Sequence, residues 1–173
     1  MTHSPQVLLL GSGEYGADLV TSFQRLGATV TAVDGHAHSP AQRLADRAAV
    51  LDLTDSAALS AAIERFEPDY VVPATQMVAT DALAVAERGR AQVVPSARSA
   101  LLTLDREGLR RLAADELGLP TVPFWFAGSP PELAAVAEHA GYPLVVKPLV
   151  GSQIEGQSVL LRAEDVEPAW RRA

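Results

Sequence analysis

Residues 6–16 read QVLLLGSGEYG, an apolar run that passes directly into a glycine-rich turn. A short continuous apolar run such as 6–10 reads as a strand of a parallel sheet, buried on both faces. Beyond the turn the spacing becomes helical, with Leu19, Phe23 and Leu26 on one side and Gly27 placed to stop the helix. ATVTAVD (28–34) then predicts a second strand. The alternation continues with a short helix around 40–47, a weak strand near 49–53 and a helix from the Asp55 cap to Phe66. A strong strand in DYVVPA (69–74), a helix over 79–88 and a strand at 91–94 come next. Strands alternating with helices imply right-handed crossovers, so residues 1–104 predict an α/β domain, a doubly wound parallel sheet of Rossmann-like type.

A different rhythm occupies residues 105–173. PSARSALLTLD (95–105) reads as a connection, after which Asp105 can cap a helix carrying Leu109, Leu112, Ala113 and Leu117. Gly118-Leu119-Pro120 ends that helix. A strand over 121–127, a helix over 131–140, strands at 143–149 and 157–162 around a loop at 150–156, and a helix from about 164 then predict a small α+β module. The last helix is cut short at Ala173, so the module is expected to be incomplete.

Composition bounds the function. The chain has 173 residues, no cysteine and a formal net charge of −7. Its 48% of hydrophobic residues is enough for a real core and argues against wholesale disorder. An acidic balance without a basic run or an aromatic platform argues against nucleic acid as partner. The absence of cysteine excludes disulfides, thiol catalysis and thiolate metal sites. MTHSPQVLLLGSG lacks the basic start and the longer apolar stretch of a signal peptide, and nothing approaches membrane-spanning length, so a cytoplasmic protein is expected.

Four stretches carry candidate chemistry. GSGEYG (11–16) fits G-x-G-x-x-G, and Asp34 ends the next strand where a dinucleotide fold places its ribose-binding acid. Glu14 opposes that reading, because two like charges about 4 Å apart repel by about 1 kcal/mol in water and about 4 at an effective dielectric of 20. A carboxylate there suits an amine or a sugar hydroxyl; a plain strand-to-helix turn has the same sequence. PATQMVATD (73–81) comes directly after the strongest strand, so Thr75, Gln76 and Glu14 are candidates to share a crevice, or Thr75 and Gln76 form only a polar loop. In LDREGLRRLAADELGLPT, Arg106 stands in the first helical turn, where the helix dipole disfavours a cation by about 0.3–1 kcal/mol. An anionic ligand would resolve this; the plain alternative is a solvated arginine, with Glu107 and Arg111 paired at i,i+4. In GYPLVVKPLVGSQIEGQ (141–157), Lys147 ends an apolar strand and suits a phosphate, or it is an edge-strand lysine. The histidines show no metal spacing, and no catalytic residue is assignable from spacing alone.

Taken together and in this order, GSGEYG, the VVP stretch leading to ATD, DREGLRRLAADELGLPT and GYPLVVKP resemble the ATP-grasp family. The similarity is to its formate-dependent glycinamide ribonucleotide transformylase branch and covers nearly the whole chain. It implies a pre-ATP-grasp domain followed by part of an ATP-grasp module. It also implies purine biosynthesis using ATP and magnesium: a carboxylate is phosphorylated and then attacked by the amine of a phosphoribosyl substrate. By position, Glu14, Tyr15 and Gln76 would bind that substrate. Arg106 and Lys147 would contact ATP phosphates, and Ser152, Gln153, Ile154, Glu155, Gly156 and Gln157 would form the ATP loop. This chain departs from the family pattern at Ala74, where the family has glutamate, and at Ile154 and Glu155, where it has glycine and lysine. A combined loss of about 3 kcal/mol at the loop would weaken ATP binding over a hundredfold. The family's magnesium-binding acids lie in a larger domain beyond these residues, so catalysis by this chain alone is not expected. The resemblance leaves room for a homodimer, or for a partner supplying that domain. Two alternatives stand beside it: a catalytically inactive homologue that binds a nucleotide, a sugar phosphate or a partner, and an NAD(P)-binding domain.

Overall fold

The computed structural model describes residues 4–149 and 156–173. The chain divides into two compact units, Met1–Leu101 and Leu102–Ala173.

The first unit grows from β1 (Gln6–Leu10), whose last four residues are buried on both faces. Leu8 and Leu10 join one core cluster, while Val7 and Leu9 join the other. This is the alternation a strand's period of two imposes when helices cover both sides of a sheet. The series continues with α1 (Glu14–Arg25), β2 (Thr29–Asp34), α2 (Pro40–Leu44), β3 (Arg47–Val50), α3 (Ser56–Phe66), β4 (Tyr70–Pro73), α4 (Thr80–Arg88), β5 (Gln92–Val93) and α5 (Ala97–Leu104). All pairings are parallel and the strand order is β3-β2-β1-β4-β5. One face of the sheet packs on Leu59 of α3 and Leu83 of α4, the other on Ala17 and Val20 of α1 and Ala41 of α2. Asp55 caps α3 by accepting from Ala57 N at 2.9 Å and Ala58 N at 3.1 Å. Residues 97–104, expected as part of a connection, are helical, and the buried Ala97 and Ala100 of α5 close the first cluster.

In the second unit Asp105 caps α6 (Arg106–Arg111), accepting from Gly108 N at 2.9 Å. The expected continuous helix changes form at Leu112–Glu116, a single π turn in which Leu117 N donates to the Leu112 carbonyl. Gly118 ends it with φ +60°. The strand expected over 121–127 does not form. Pro123 has no N–H to give a ladder, and the aromatic side chains are used locally instead. The Phe124 and Phe126 rings lie 5.6 Å apart, Arg111 covers Phe126 at 5.3 Å, and Trp125 meets the His139 ring edge-on at 6.3 Å. α7 (Pro130–Ala140), the antiparallel pair β6 (Leu144–Val146) and β7 (Ser158–Leu160), a 3-10 turn (Ala163–Asp165) and α8 (Val166–Arg172) complete the unit. Both strands are shorter than expected. Its core is Leu133, Ala137, Leu160, Val166 and Ala169, with Leu144, Val146 and Trp170 packed against them. Val145 and Val159, directly paired, face outward.

Candidate functional site

The strand order reverses at β1, which has β2 on one side and β4 on the other. In open α/β sheets a ligand crevice forms at such a point, beyond the carboxyl ends of the strands. Here it is an open cavity of about 460 Å³. Gly11, Ser12 and Gly13 line it from the β1 turn, with Asp34, Gly35 and His36 after β2, Asp52, Leu53 and Thr54 after β3, and Ala74, Thr75 and Met77 after β4.

Two glycines of GSGEYG are required by contact. Gly11 has φ +96°, and a Cβ there would stand 2.8 Å from Thr75 Cβ. A Cβ on Gly16 would come within 2.7 Å of the Gly11 carbonyl oxygen. Ser12, between them, is fully buried. Its N–H donates to Asp34 Oδ2 at 2.7 Å, its hydroxyl to the Val33 carbonyl at 3.3 Å, and its own carbonyl accepts from Ala41 N at 2.9 Å. Asp34 Oδ1 accepts from His36 N at 3.1 Å. Both oxygens of the acid expected to meet a ribose are therefore engaged with backbone.

Of the residues expected to share this crevice Thr75 lines it, whereas Glu14, Tyr15 and Gln76 are not among the lining residues. Glu14 and Tyr15 form the first turn of α1 and are exposed, Tyr15 to 65%. The Glu14 carboxylate stands at the positive end of the helix dipole, which stabilises it there. Gln76 is half-buried between two lining residues, Thr75 and Met77. Asp52, Thr54 and Met77 are lining residues that motif reading missed. The available signal was their place after the third and fourth strands, but β3 is too weak a strand to draw attention to the residues at its carboxyl end. The Thr54 hydroxyl, at 2.7 Å, and then the Thr54 N–H, at 2.9 Å, hold the Asp52 carboxyl below its usual pKa. With the Asp52 carboxylate and the Thr54 and Thr75 hydroxyls in its lining, the crevice suits hydroxyls or an ammonium better than a phosphate.

The cationic candidates lie in the second unit. Lys147 is the first residue after β6 and is exposed. The expectation of a costly lysine against a buried strand is thereby corrected, because β6 alternates and Val145 is 60% exposed. Arg106, the first residue of α6, donates from Nη1 to the carbonyl of Pro148, one residue beyond Lys147. A backbone carbonyl accordingly supplies a partner for a cation that the dipole alone disfavours. Glu107 and Arg111 form the expected pair at 2.7 Å. Gly156 has φ +72°, and a Cβ on it would meet Pro148 Cγ at 3.0 Å and the Arg172 carbonyl oxygen at 3.1 Å. Gln157, next in the chain, is half-buried. Ser152, Gln153, Ile154 and Glu155 lie outside the described residues. Of the two cations expected at a phosphate, Arg106 reaches the backbone one residue beyond Lys147, and neither lines the cavity described above. Magnesium does not fit: among the described residues no group of three or more acids or histidines could hold a metal ion.

A sheet with a glycine turn at its reversal point, followed by a small α+β unit, is also found in the N-terminal portions of solved ATP-grasp enzymes. A carboxyaminoimidazole ribonucleotide synthase from Aspergillus clavatus, solved in complex with ATP, shares this fold at TM-score 0.83 with 24% identity, over 98% of this chain and 44% of that one. Residues 7–93, half of the chain, match the model of the NAD dependent epimerase/dehydratase family, and by that first unit the chain belongs to the family. Along both units it is homologous to the N-terminal part of formate-dependent phosphoribosylglycinamide formyltransferases. The enzyme of that name from Paraburkholderia xenovorans is 51% identical over 169 residues, 97% of this chain and 42% of the relative. A solved glycinamide transformylase from Mycobacterium tuberculosis superposes at TM-score 0.77 with 50% identity, over 91% of this chain and 43% of that one. The chain thus spans less than half the length of the curated relatives it matches. The two family findings differ in reach: the first stops at residue 93, whereas the identity of about half runs on through the second unit. The longer and closer match carries more weight for function.

Proposed function

We propose that this chain is the substrate-receiving portion of an ATP-dependent formate–glycinamide ribonucleotide ligase of purine biosynthesis, acting in the cytoplasm. The observation that carries the reading is the identity of about half over 97% of the chain, through both the glycine turn and the Arg106–Lys147 segment. In this reading ATP phosphorylates formate, and the amine of the phosphoribosyl substrate displaces the phosphate to form the formamide. Glu14 holds that amine, with Tyr15 and Gln76 beside it, while the ribose hydroxyls meet the hydroxyl- and carboxylate-lined crevice. Lys147 and Arg106 neutralise nucleotide phosphates, and Gly156 and Gln157 belong to the stretch that the resemblance assigns to the same nucleotide. Among the described residues no group of acids fits magnesium.

Calorimetry of the chain with glycinamide ribonucleotide tests this directly. Heat of binding is expected with the wild type, and its absence overturns the reading. Glu14→Gln should weaken that binding about tenfold or more, the loss of a charge-assisted hydrogen bond, while leaving thermal stability nearly unchanged. Restoring Ile154→Gly together with Glu155→Lys should strengthen ATP binding up to about a hundredfold.

The match to the NAD dependent epimerase/dehydratase family favours a second reading, a dinucleotide site in the first unit. NADH heat in the same experiment supports it. Silence towards both ligands, with capture of a partner chain, supports a non-catalytic module.

A further inference from the structure

We infer that Asp34 is a positioning residue: its carboxylate sets the glycine turn that presents Glu14 and Tyr15, and it does not itself bind the ligand. The inference rests on the proposed role of Glu14 as the amine contact.

α1 begins without a side-chain cap, since its N-cap is Gly13, which has no side chain to accept from the first turn. The turn must be located by something outside the helix. Asp34 does this one residue upstream, accepting from Ser12 N at 2.7 Å, a short charge-assisted bond. Its second oxygen accepts from His36 N, so one carboxylate ties the β1 turn to the β2 turn. Ala41 N adds a bond to the Ser12 carbonyl at 2.9 Å. On the opposite side the turn abuts Thr75, which leaves no space for a Cβ on Gly11. Glu14 lies two residues beyond this locked serine, on the helix the turn starts. A displacement at Ser12 therefore passes to Glu14 through a single glycine. Each Asp34 oxygen receives a backbone N–H, from Ser12 and from His36, so the contacts the carboxylate makes are with the two turns it joins.

The test is a double-mutant cycle read as affinity for glycinamide ribonucleotide. Asp34→Asn keeps one oxygen but loses the charge, and it should weaken binding about tenfold. In the Glu14→Gln background the same change should cost less than about twofold, because Asp34 acts through Glu14. Independent, multiplying losses overturn the inference. So does a loss of NADH binding in Asp34→Asn with glycinamide ribonucleotide binding intact, which would make Asp34 a ligand. If Asp34→Asn does not fold, Asp34→Glu, with its oxygens displaced by one methylene, takes its place in the cycle. A measurement without ligand separates this inference from the proposed function. Amide NMR of the variant should show Glu14 and Tyr15 less ordered while β1 and β2 keep their signals. Unchanged order at Glu14 and Tyr15 overturns the positioning role. Changed order in a protein that binds no glycinamide ribonucleotide sustains it and removes the functional reading instead.

Discussion

Asp46 accepts from Val30 N at 2.8 Å and from the Gln24 amide at 3.3 Å. The Val30 N–H foremost lowers its pKa below the ordinary 3.8; burial opposes this, and the Gln24 amide adds a lesser lowering. A carboxyl with a depressed folded pKa stabilises the fold at pH above its unfolded value, and that contribution fades as pH falls through the folded value. Denaturation at neutral pH and near pH 3 should show wild type losing stability on acidification, and Asp46→Asn losing less. The glycines permit an equally local prediction. Gly16→Ala forces its methyl against the Gly11 carbonyl and should cost about 1–3 kcal/mol in urea denaturation. At this scale much was legible in advance. Asp55 and Asp105 cap α3 and α6, while Gly27 after α1 and Gly118 after the π turn have the positive φ of helix stops. Those motifs work within three or four residues. The partner of Arg106 is 42 residues away, and no local pattern announces a bond of that span.

At the scale of elements, β7 offers a sharp contrast. Leu160 is fully buried on α7 and α8, while Val159 beside it is 58% exposed. Leu160→Ala should cost about 2–5 kcal/mol, and Val159→Ala should stay within about 0.5 kcal/mol. Equal losses in denaturation would mean that the register of β6 and β7 is not the one described. Elements that alternate strictly, from β1 to β5, were readable because each apolar run or helical face answers to one sheet. The segment 121–127 was misread because its β-favouring aromatics pack on Arg111, His139 and one another, and propensity reports burial as much as backbone preference. The π turn at Leu112–Glu116 has the residue types of an ordinary helix, and its one-residue surplus leaves no mark on periodicity over so short a stretch.

At the scale of the whole molecule, the two units carry separate cores: two clusters flank the five-stranded sheet, and a third lies among α7, α8 and the two-stranded sheet. Leu160→Ala should therefore raise amide hydrogen exchange across Leu102–Ala173 while the amides of Leu8, Leu9 and Leu10 stay protected. Among the described residues no helix is long and apolar enough to cross a membrane. The sequence placed a crevice only beyond the carboxyl ends of the strands; its position at the reversal beside β1 follows from the strand order the structure shows. Its chemistry was less legible, since Asp34 had to be seen turned towards Ser12 before it could be set apart from a ribose acid.

The chain has two tryptophans, Trp125 and Trp170, and both belong to the second unit. Trp170 packs on that unit's core, so emission excited selectively at tryptophan, which leaves out Tyr70 of β4, reports the loss of the smaller body. Melting curves followed by emission and by far-ultraviolet dichroism will coincide only when both bodies unfold in one step. An emission midpoint belongs to Leu102–Ala173 alone.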